Sequence, residues 1–330
     1  MTVGAALLSA ILAAGATQLA SFTPDFPAHG EGRTPRPDGP RRKVLIFGID
    51  GCRWDAVQAA RAPNFDRLAR QGTLALNTDV LGPRDTGADT VSGPCWSSIL
   101  TGVYADKHGV RDNSFKGDRY RRYPHFFRRL KEAWPEARTV SVESWGAIHD
   151  YIVDGADVSL APRGDDEDDA AGDQHVTEQA KAILAADDPD AMFVYFGNLD
   201  TTGHREGYHP AVAPYRRAIE TIDRQVGEVL ATVEARLTYD REDWLILVCT
   251  DHGGLGTHHS GGQNSPEVRR VFLIASGPAA RRGIIEEPTY LVDVAATALA
   301  HLSVPVRAEW GLDGRPFGLR EREAAAATVE

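Results

Sequence analysis

A chain of 330 residues with 42% hydrophobic content can fill one large α/β domain or two small ones. Its net charge of −11, from 36 basic and 47 acidic residues, excludes a general nucleic-acid binder, which needs a basic surface. Cys52, Cys95 and Cys249 are odd in number and far apart, so they form neither a disulfide framework nor a CxxC metal knuckle.

Residues 3–16 are small and apolar. The run is shorter than the roughly 20 residues that span a bilayer, so no transmembrane helix is expected here. Its length suits an export signal, and Ala14-Gly15-Ala16 fits a cleavage site, although no Lys or Arg precedes Arg33. A signal peptide is therefore expected over 1–21, with a secreted or periplasmic location; without it the location is cytoplasmic. Residues 22–42 carry Pro24, Pro27, Pro35, Pro37 and Pro40 and read as a linker.

A single α/β domain is expected over 43–320. Residues 43–49 (KVLIFGI) form a continuous apolar run, as in a strand buried on both faces of a parallel sheet, and Asp50-Gly51 ends it. Residues 63–71, with Pro63 first and Gly72 after, read as a helix. Ser92 stands two residues before Pro94, and the short segment 95–101 is closed by Gly102. Ser92 thus lies at or just before a helix N-terminus, where free N–H groups and the helix dipole favour negative charge. Such a serine is either an N-cap or a nucleophile facing an anionic substrate, and this stretch alone leaves both open.

Further on, 124–134 reads as a helix and 138–143 as a strand. Residues 163–174 (RGDDEDDAAGDQ) match no EF-hand spacing and read as a solvated acidic loop. Residues 175–186 are a helix. Residues 191–197 (AMFVYFG) are a buried strand running into Asn198-Leu-Asp-Thr-Thr-Gly-His204. A long amphipathic helix is expected over 211–237 and a third buried strand over 243–250, ending in Asp251-His252. Cys249, inside that run, reads as a small core residue. A shorter strand follows at 271–275 and a helix at 289–302; residues 321–330 should fray. Strand followed by helix, repeatedly, argues for a mostly parallel central sheet with helices on both faces and a site along its carboxyl edge.

The strand ends collect Asp50, Ser92, Asp200, His204, Asp251, His252, and His258 or His259. So many charges on one edge need cations to compensate them. Mixed Asp and His ligation suits zinc and related metals. Six ligands divide into two three-ligand sites, and a metal pair about 4 Å apart can clamp the attacking and leaving oxygens of a phosphoryl transfer.

At this point the sequence resembles the alkaline phosphatase superfamily, in its nucleotide pyrophosphatase/phosphodiesterase branch. The matching pieces are 44–51 (VLIFGIDG), 92–109 (SGPCWSSILTGVYADKHG), 200–204 (DTTGH), 251–259 (DHGGLGTHH) and the 293–316 ending, in an overall match from about 43 to 318. The resemblance implies a three-layer sandwich and two divalent metal ions, zinc above all. One would be held by Asp50, Asp251 and His252. The other would be held by Asp200, His204 and His259, because His259-Ser260-Gly261 fits the family pattern better than His258. Ser92 takes the nucleophile position, usually threonine in this branch, and would also serve as a metal ligand. Two in-line displacements through a phosphoseryl intermediate are implied. The arginine of the formylglycine signal of sulfatases is missing after Ser92-Gly-Pro-Cys-Trp, and the chain has little room for a mutase cap.

Asn113, at the family's spacing after Ser92, implies an amide donor to a phosphoryl oxygen. One neutral donor suits a diester; monoesterase relatives add a Lys-x-Arg pair after the strand equated with 139–142. Here Glu143-Ser-Trp-Gly follows, so Glu143 is expected to repel a dianion and Trp145 to offer a stacking face. If that equivalence is displaced, Arg111 or Lys107 would reach the phosphate instead. The expected partner is a small phosphate ester. The expected activity is hydrolysis of phosphodiester or nucleotide pyrophosphate bonds. The alternatives are a phosphomonoesterase and a non-catalytic secreted metal-binding relative.

Overall fold

Strand β1 (Arg41–Ile49) is buried from Lys43 onward, and its side chains alternate between two cores. Val44 and Ile46 enter one; Leu45, Phe47 and Ile49 enter the other. That is why the strand reads as unbroken apolar sequence: both faces of the sheet are covered. The computed structural model describes residues 39–161 and 170–321. The expected signal peptide, linker residues 22–38, acidic residues 163–169 and tail residues 322–330 lie outside the described residues.

After β1 come helices α1 (Trp54–Ala59) and α2 (Pro63–Gln71), strand β2 (Thr73–Asp79), and helices α3 (Ser92–Thr101), α4 (Ala105–His108) and α5 (Phe126–Ala133). Strands β3 (Thr139–Glu143) and β4 (Val158–Leu160) follow, then α6 (Ala170–Ala186), β5 (Ala191–Phe196), α7 (Asn198–Glu206), α8 (Ala213–Glu234) and β6 (Glu242–Cys249). The last elements are α9 (Pro266–Arg269), β7 (Arg270–Ser276), β8 (Gly283–Ile285), β9 (Thr289–Tyr290) and α10 (Asp293–His301).

The strands form one sheet in the order β4-β3-β5-β1-β6-β7-β2-β8, with β9 also on β2. Strands β4, β3, β5, β1 and β6 run parallel. Strand β7 alone is reversed, pairing antiparallel with both β6 and β2. Because β5 and β6 flank β1, the segments after Ile49, Phe196 and Cys249 emerge side by side at the carboxyl edge. Helices α3 and α10 pack over one face; α2, α6 and α8 pack over the other. Helix α8 is seated by Tyr215, Ile219, Ile222, Val226, Val229 and Val233, spaced three or four apart, each worth roughly 1.5–3 kcal/mol of burial.

Three expected elements differ. The helix expected over 289–302 begins only at Asp293, because Thr289 and Tyr290 pair with β2 and the Asp293 carboxylate accepts the Tyr290 and Arg315 N–H groups. The end of the stretch expected as an acidic loop is already helix α6 from Ala170. There Asp173 is buried and accepts from Ser144 Oγ and the Gly197 N–H, which fixes it inward. The long helix is shorter than expected, Ala213–Glu234, and a 3-10 turn at Tyr239–Arg241 leads into β6.

Candidate metal centre

Asp50 follows β1 and is 1% exposed. Its Oδ2 accepts from the Trp96 indole N–H at 2.9 Å and the Tyr195 hydroxyl at 2.7 Å, so Oδ1 faces the edge. Asp251 and His252 follow β6 and are fully buried. Asp251 Oδ1 accepts the Gly51 N–H, while Oδ2 has no hydrogen-bond partner among the described residues. His252 Nε2 lies 3.4 Å from Asp50 Oδ1 and 3.1 Å from Asp251 Oδ2. Ser92 opens α3, with Val91 as the N-cap and no side-chain capping bond. Its hydroxyl lies 3.5 Å from Asp50 Oδ1 and 3.3 Å from His252 Nε2. The N-cap reading of Ser92 therefore fails: the side chain faces the carboxylates.

A second cluster adjoins the first. Helix α7 follows β5 and carries Asp200 and His204 four residues apart, hence on one face. His204 Nε2 is 3.3 Å from Asp200 Oδ2 and 2.9 Å from His259 Nε2; His259 Nε2 is 3.7 Å from Asp200 Oδ1. The His252 and His259 rings stack with centroids 3.7 Å apart, so the clusters share a border, and Asp200, His252 and His259 also converge as a ligand group. The His258 ring is exposed and meets only the Thr257 hydroxyl among the described contacts; His259 is the histidine brought in.

The imidazoles are oriented alike. Nδ1 of His204, His252 and His259 faces the carbonyls of Thr257, Gly253 and Thr90 at 2.9, 2.9 and 2.8 Å. A carbonyl only accepts, so each Nδ1 carries the proton and each Nε2 turns a lone pair inward. With the rings neutral, the lone pairs of His204 and His259 would meet at 2.9 Å and that of His252 would face two carboxylates, whereas a second proton on His204 Nε2 would let it donate to Asp200. Only cations, protons or metals, reconcile this donor set. The donor set offers two groups that could hold a metal ion, Asp50, Asp251 and His252 in one and Asp200, His252 and His259 in the other, with His204 Nε2 beside the second. The carboxylates respond to their crowding. Burial, then the charge of Asp200, pushes Asp50 up; burial, then Asp50 and Asp200, pushes Asp251 up. Burial also works on Asp200, but the His204 hydrogen bond and the neighbouring imidazoles outweigh it and hold the carboxyl at about 2. Burial, then His252, lowers His259 to about 4.

Asn113 is brought to the nucleophile segment: its Oδ1 accepts the Gly93 N–H at 2.7 Å, leaving its amide NH2 to donate. Glu143 is not a site acid. It is 1% exposed, its Oε1 accepts from Ser141 Oγ, and burial pushes its carboxyl up to about 8. Burial favours its neutral form, against the expectation that it repels a dianion. Trp145 is half-buried, with its ring 6.1 Å from Phe115 and 6.4 Å from Tyr195. Lys107 is committed to Asp313 and the Gly311 carbonyl, and Arg111 lies exposed beside Gly87.

Sequence reasoning missed Trp96, Tyr195, Tyr208 and Thr90. Tyr208 is fully buried and donates to Asp200 Oδ1. The signal was there for Tyr195 and Trp96: a buried tyrosine hydroxyl or indole N–H requires a partner.

The family model for type I phosphodiesterase / nucleotide pyrophosphatase matches residues 44–268, which include every residue of both clusters. The chain belongs to this family, within the alkaline phosphatase superfamily. Ectonucleotide pyrophosphatase/phosphodiesterase family member 7 of Homo sapiens is 26% identical over 252 residues, covering 68% of this chain and 51% of that protein. The chain spans about half the length of the curated relatives it matches first. Among solved structures, a 2-O GAG sulfatase superposes with TM-score 0.65 at 18% identity, over 85% of this chain and 73% of that one. An inactive variant of murine ectonucleotide pyrophosphatase/phosphodiesterase 5 in complex with AMP superposes with TM-score 0.58 at 16% identity, over 81% and 96%. These likenesses describe the fold.

Proposed function

We propose that the chain is a metal-dependent hydrolase of phosphodiester or nucleotide pyrophosphate bonds, with Ser92 as nucleophile. The observation that carries this reading is the Ser92 hydroxyl, uncapped at the start of α3 and 3.5 and 3.3 Å from one residue of each kind in the first cluster. Family membership and the relatives named for nucleotide pyrophosphatase and phosphodiesterase activity support it.

Asp50, Asp251 and His252 would hold one divalent cation, and Asp200, His204 and His259 the other; zinc is the proposed metal. Bound there, the cations would supply positive charge to the phosphoryl oxygens and to the reacting hydroxyl. The chain's own residues do the rest. Ser92 Oγ forms a bond to phosphorus as the leaving oxygen departs in line, and the hydroxyl proton is released. Water then cleaves the phosphoserine and restores the hydroxyl. The N-terminal N–H groups of α3 favour the anionic group. The Asn113 amide donates to a non-bridging oxygen, anchored through its own Oδ1 on Gly93. Trp145 offers a flat partner for the leaving group. Export, proposed from residues 1–21, would place the activity outside the cytoplasm.

The test is a rate comparison on zinc-loaded protein with bis(p-nitrophenyl) phosphate, p-nitrophenyl phosphate and p-nitrophenyl sulfate. Turnover should be highest on the diester, and a chelator should abolish it. Preference for the monoester would move the assignment to a phosphomonoesterase. No turnover with both metals bound would leave the non-catalytic relative.

A further inference from the structure

Thr90 is fully buried two residues before the nucleophile, and it holds His259 at two points and the following Gly262 at a third. Its carbonyl accepts from His259 Nδ1 at 2.8 Å. Its hydroxyl donates to the His259 carbonyl at 2.5 Å and accepts the Gly262 N–H at 2.9 Å. Asp89 extends the grip: its Oδ1 accepts the Gly261 N–H at 2.7 Å and Gln263 Nε2 at 3.3 Å. The Asp89 N–H donates to the Arg111 carbonyl, two residues before Asn113. The two residues therefore join three segments: the one leading to Ser92, the one carrying His259, and the one carrying Asn113.

We propose that Thr90, with Asp89 beside it, is a positioning residue whose hydroxyl sets the place of His259 and ties the second cluster to the nucleophile. The proposal rests on the two-metal reading above. The Thr90 carbonyl keeps the proton on Nδ1, so Nε2 stays a donor to the cluster. The Thr90 hydroxyl fixes the backbone on which that ring is mounted, donating to the His259 carbonyl and accepting the Gly262 N–H. Loss of an outer hydrogen bond of this kind costs about 10–100-fold in metal affinity. Because only one of the two clusters contains His259, the loss should fall on one metal.

The experiment titrates zinc into apo-protein against a chromophoric chelator, for the wild type, Thr90→Val, Thr90→Ser and Asp89→Ala. Thr90→Val keeps the shape and removes both hydroxyl bonds; Thr90→Ser keeps them. Expected are two bound zinc ions in the wild type and one in Thr90→Val at unchanged affinity. The other should be weakened about 10–100-fold in Thr90→Val, with near wild-type affinity for both restored in Thr90→Ser. Asp89→Ala, at a half-buried loop position, should weaken the same ion, and it carries the test should Thr90→Val not fold. Two equally tight ions in both Thr90→Val and Asp89→Ala overturn the positioning role, as does equal weakening of both ions or failure of Thr90→Ser to rescue. Fewer than two ions in the wild type overturns the two-metal reading itself, and this inference with it.

Discussion

Ser92 and Asn113 do different work for one reaction, and their variants should separate it. Ser92→Ala removes the proposed nucleophile but no imidazole or carboxylate. Turnover should fall by several orders of magnitude while both metals remain bound, and Ser92→Thr should keep part of the activity. Near-normal turnover in Ser92→Ala, measured with metal content on the same sample, would mean that the hydroxyl does not attack. Asn113→Ala removes one preorganised donor and should cost about 10²-fold or more in diester turnover. An unchanged rate would remove Asn113 from the reaction. Glu143 belongs to stability rather than to the reaction. Its folded carboxyl is raised to about 8, against 4.5 as the ordinary value, so the folded state holds a proton that the unfolded state releases. Stability from this group is present below about 4.5 and is lost as pH rises towards about 8. Glu143→Gln cannot ionise, so its melting temperature relative to the wild type should climb between those values. A constant difference would show that the carboxyl ionises normally.

Elements deliver these groups, and close packing makes the delivery exacting. At Gly48 of β1, an added Cβ would lie 2.7 Å from Trp96 Cη2 and 2.9 Å from Phe193 Cε2. Gly48→Ala should therefore displace the indole that holds Asp50 Oδ2, costing about 1–3 kcal/mol of overpacking and weakening the first metal. Denaturant unfolding and zinc titration check both; wild-type values for each would show that Trp96 can shift without disturbing Asp50. The glycine itself was visible in KVLIFGI, but its neighbour across the core was not, because contact between β1 and α3 is tertiary. The same limit runs through the rest. Strands β1, β5 and β6 were legible because burial on both faces leaves continuous apolar runs. Their carboxyl-edge acids and histidines were legible because they interrupt those runs. The reversed direction of β7 was not, since an apolar run carries no direction. Glu143 misled because a carboxylate at a strand end has the same sequence signature whether it faces a ligand or is buried beside Ser141. Asp173 misled in the opposite sense: among acidic neighbours it looked solvated, yet it is 1% exposed.

For the molecule as a whole, the two clusters are a concentrated electrostatic cost that bound cations would relieve. A ligand at about 100 times its Kd adds about 2.7 kcal/mol to a folded state that alone binds it, so zinc should raise the melting temperature and a chelator should lower it. The pH dependence of that gap follows group by group. In metal-free protein Asp50 and Asp251 are raised, so their folded forms keep protons that the unfolded chain loses above about 3.8, and stability falls as pH rises. His204 is raised by Asp200; its contribution is present below the ordinary 6.5 and is lost as pH climbs through its folded value. His259, lowered to about 4, acts in the other direction: the unfolded chain takes up the proton below 6.5, so stability falls on acidification. Metal ligation requires deprotonated carboxylates and imidazoles. It therefore removes the alkaline penalty of Asp50, Asp251 and His204 and deepens the acid penalty of His259. Asp50, Asp251 and His204 widen the zinc-minus-chelator difference as pH rises from about 5 to about 8, whereas His259, already deprotonated above its folded value of about 4, adds to it only at lower pH. Scanning calorimetry at fixed free zinc and with chelator reads it directly. A gap that stays flat or narrows across that window would place bound zinc somewhere other than these two clusters.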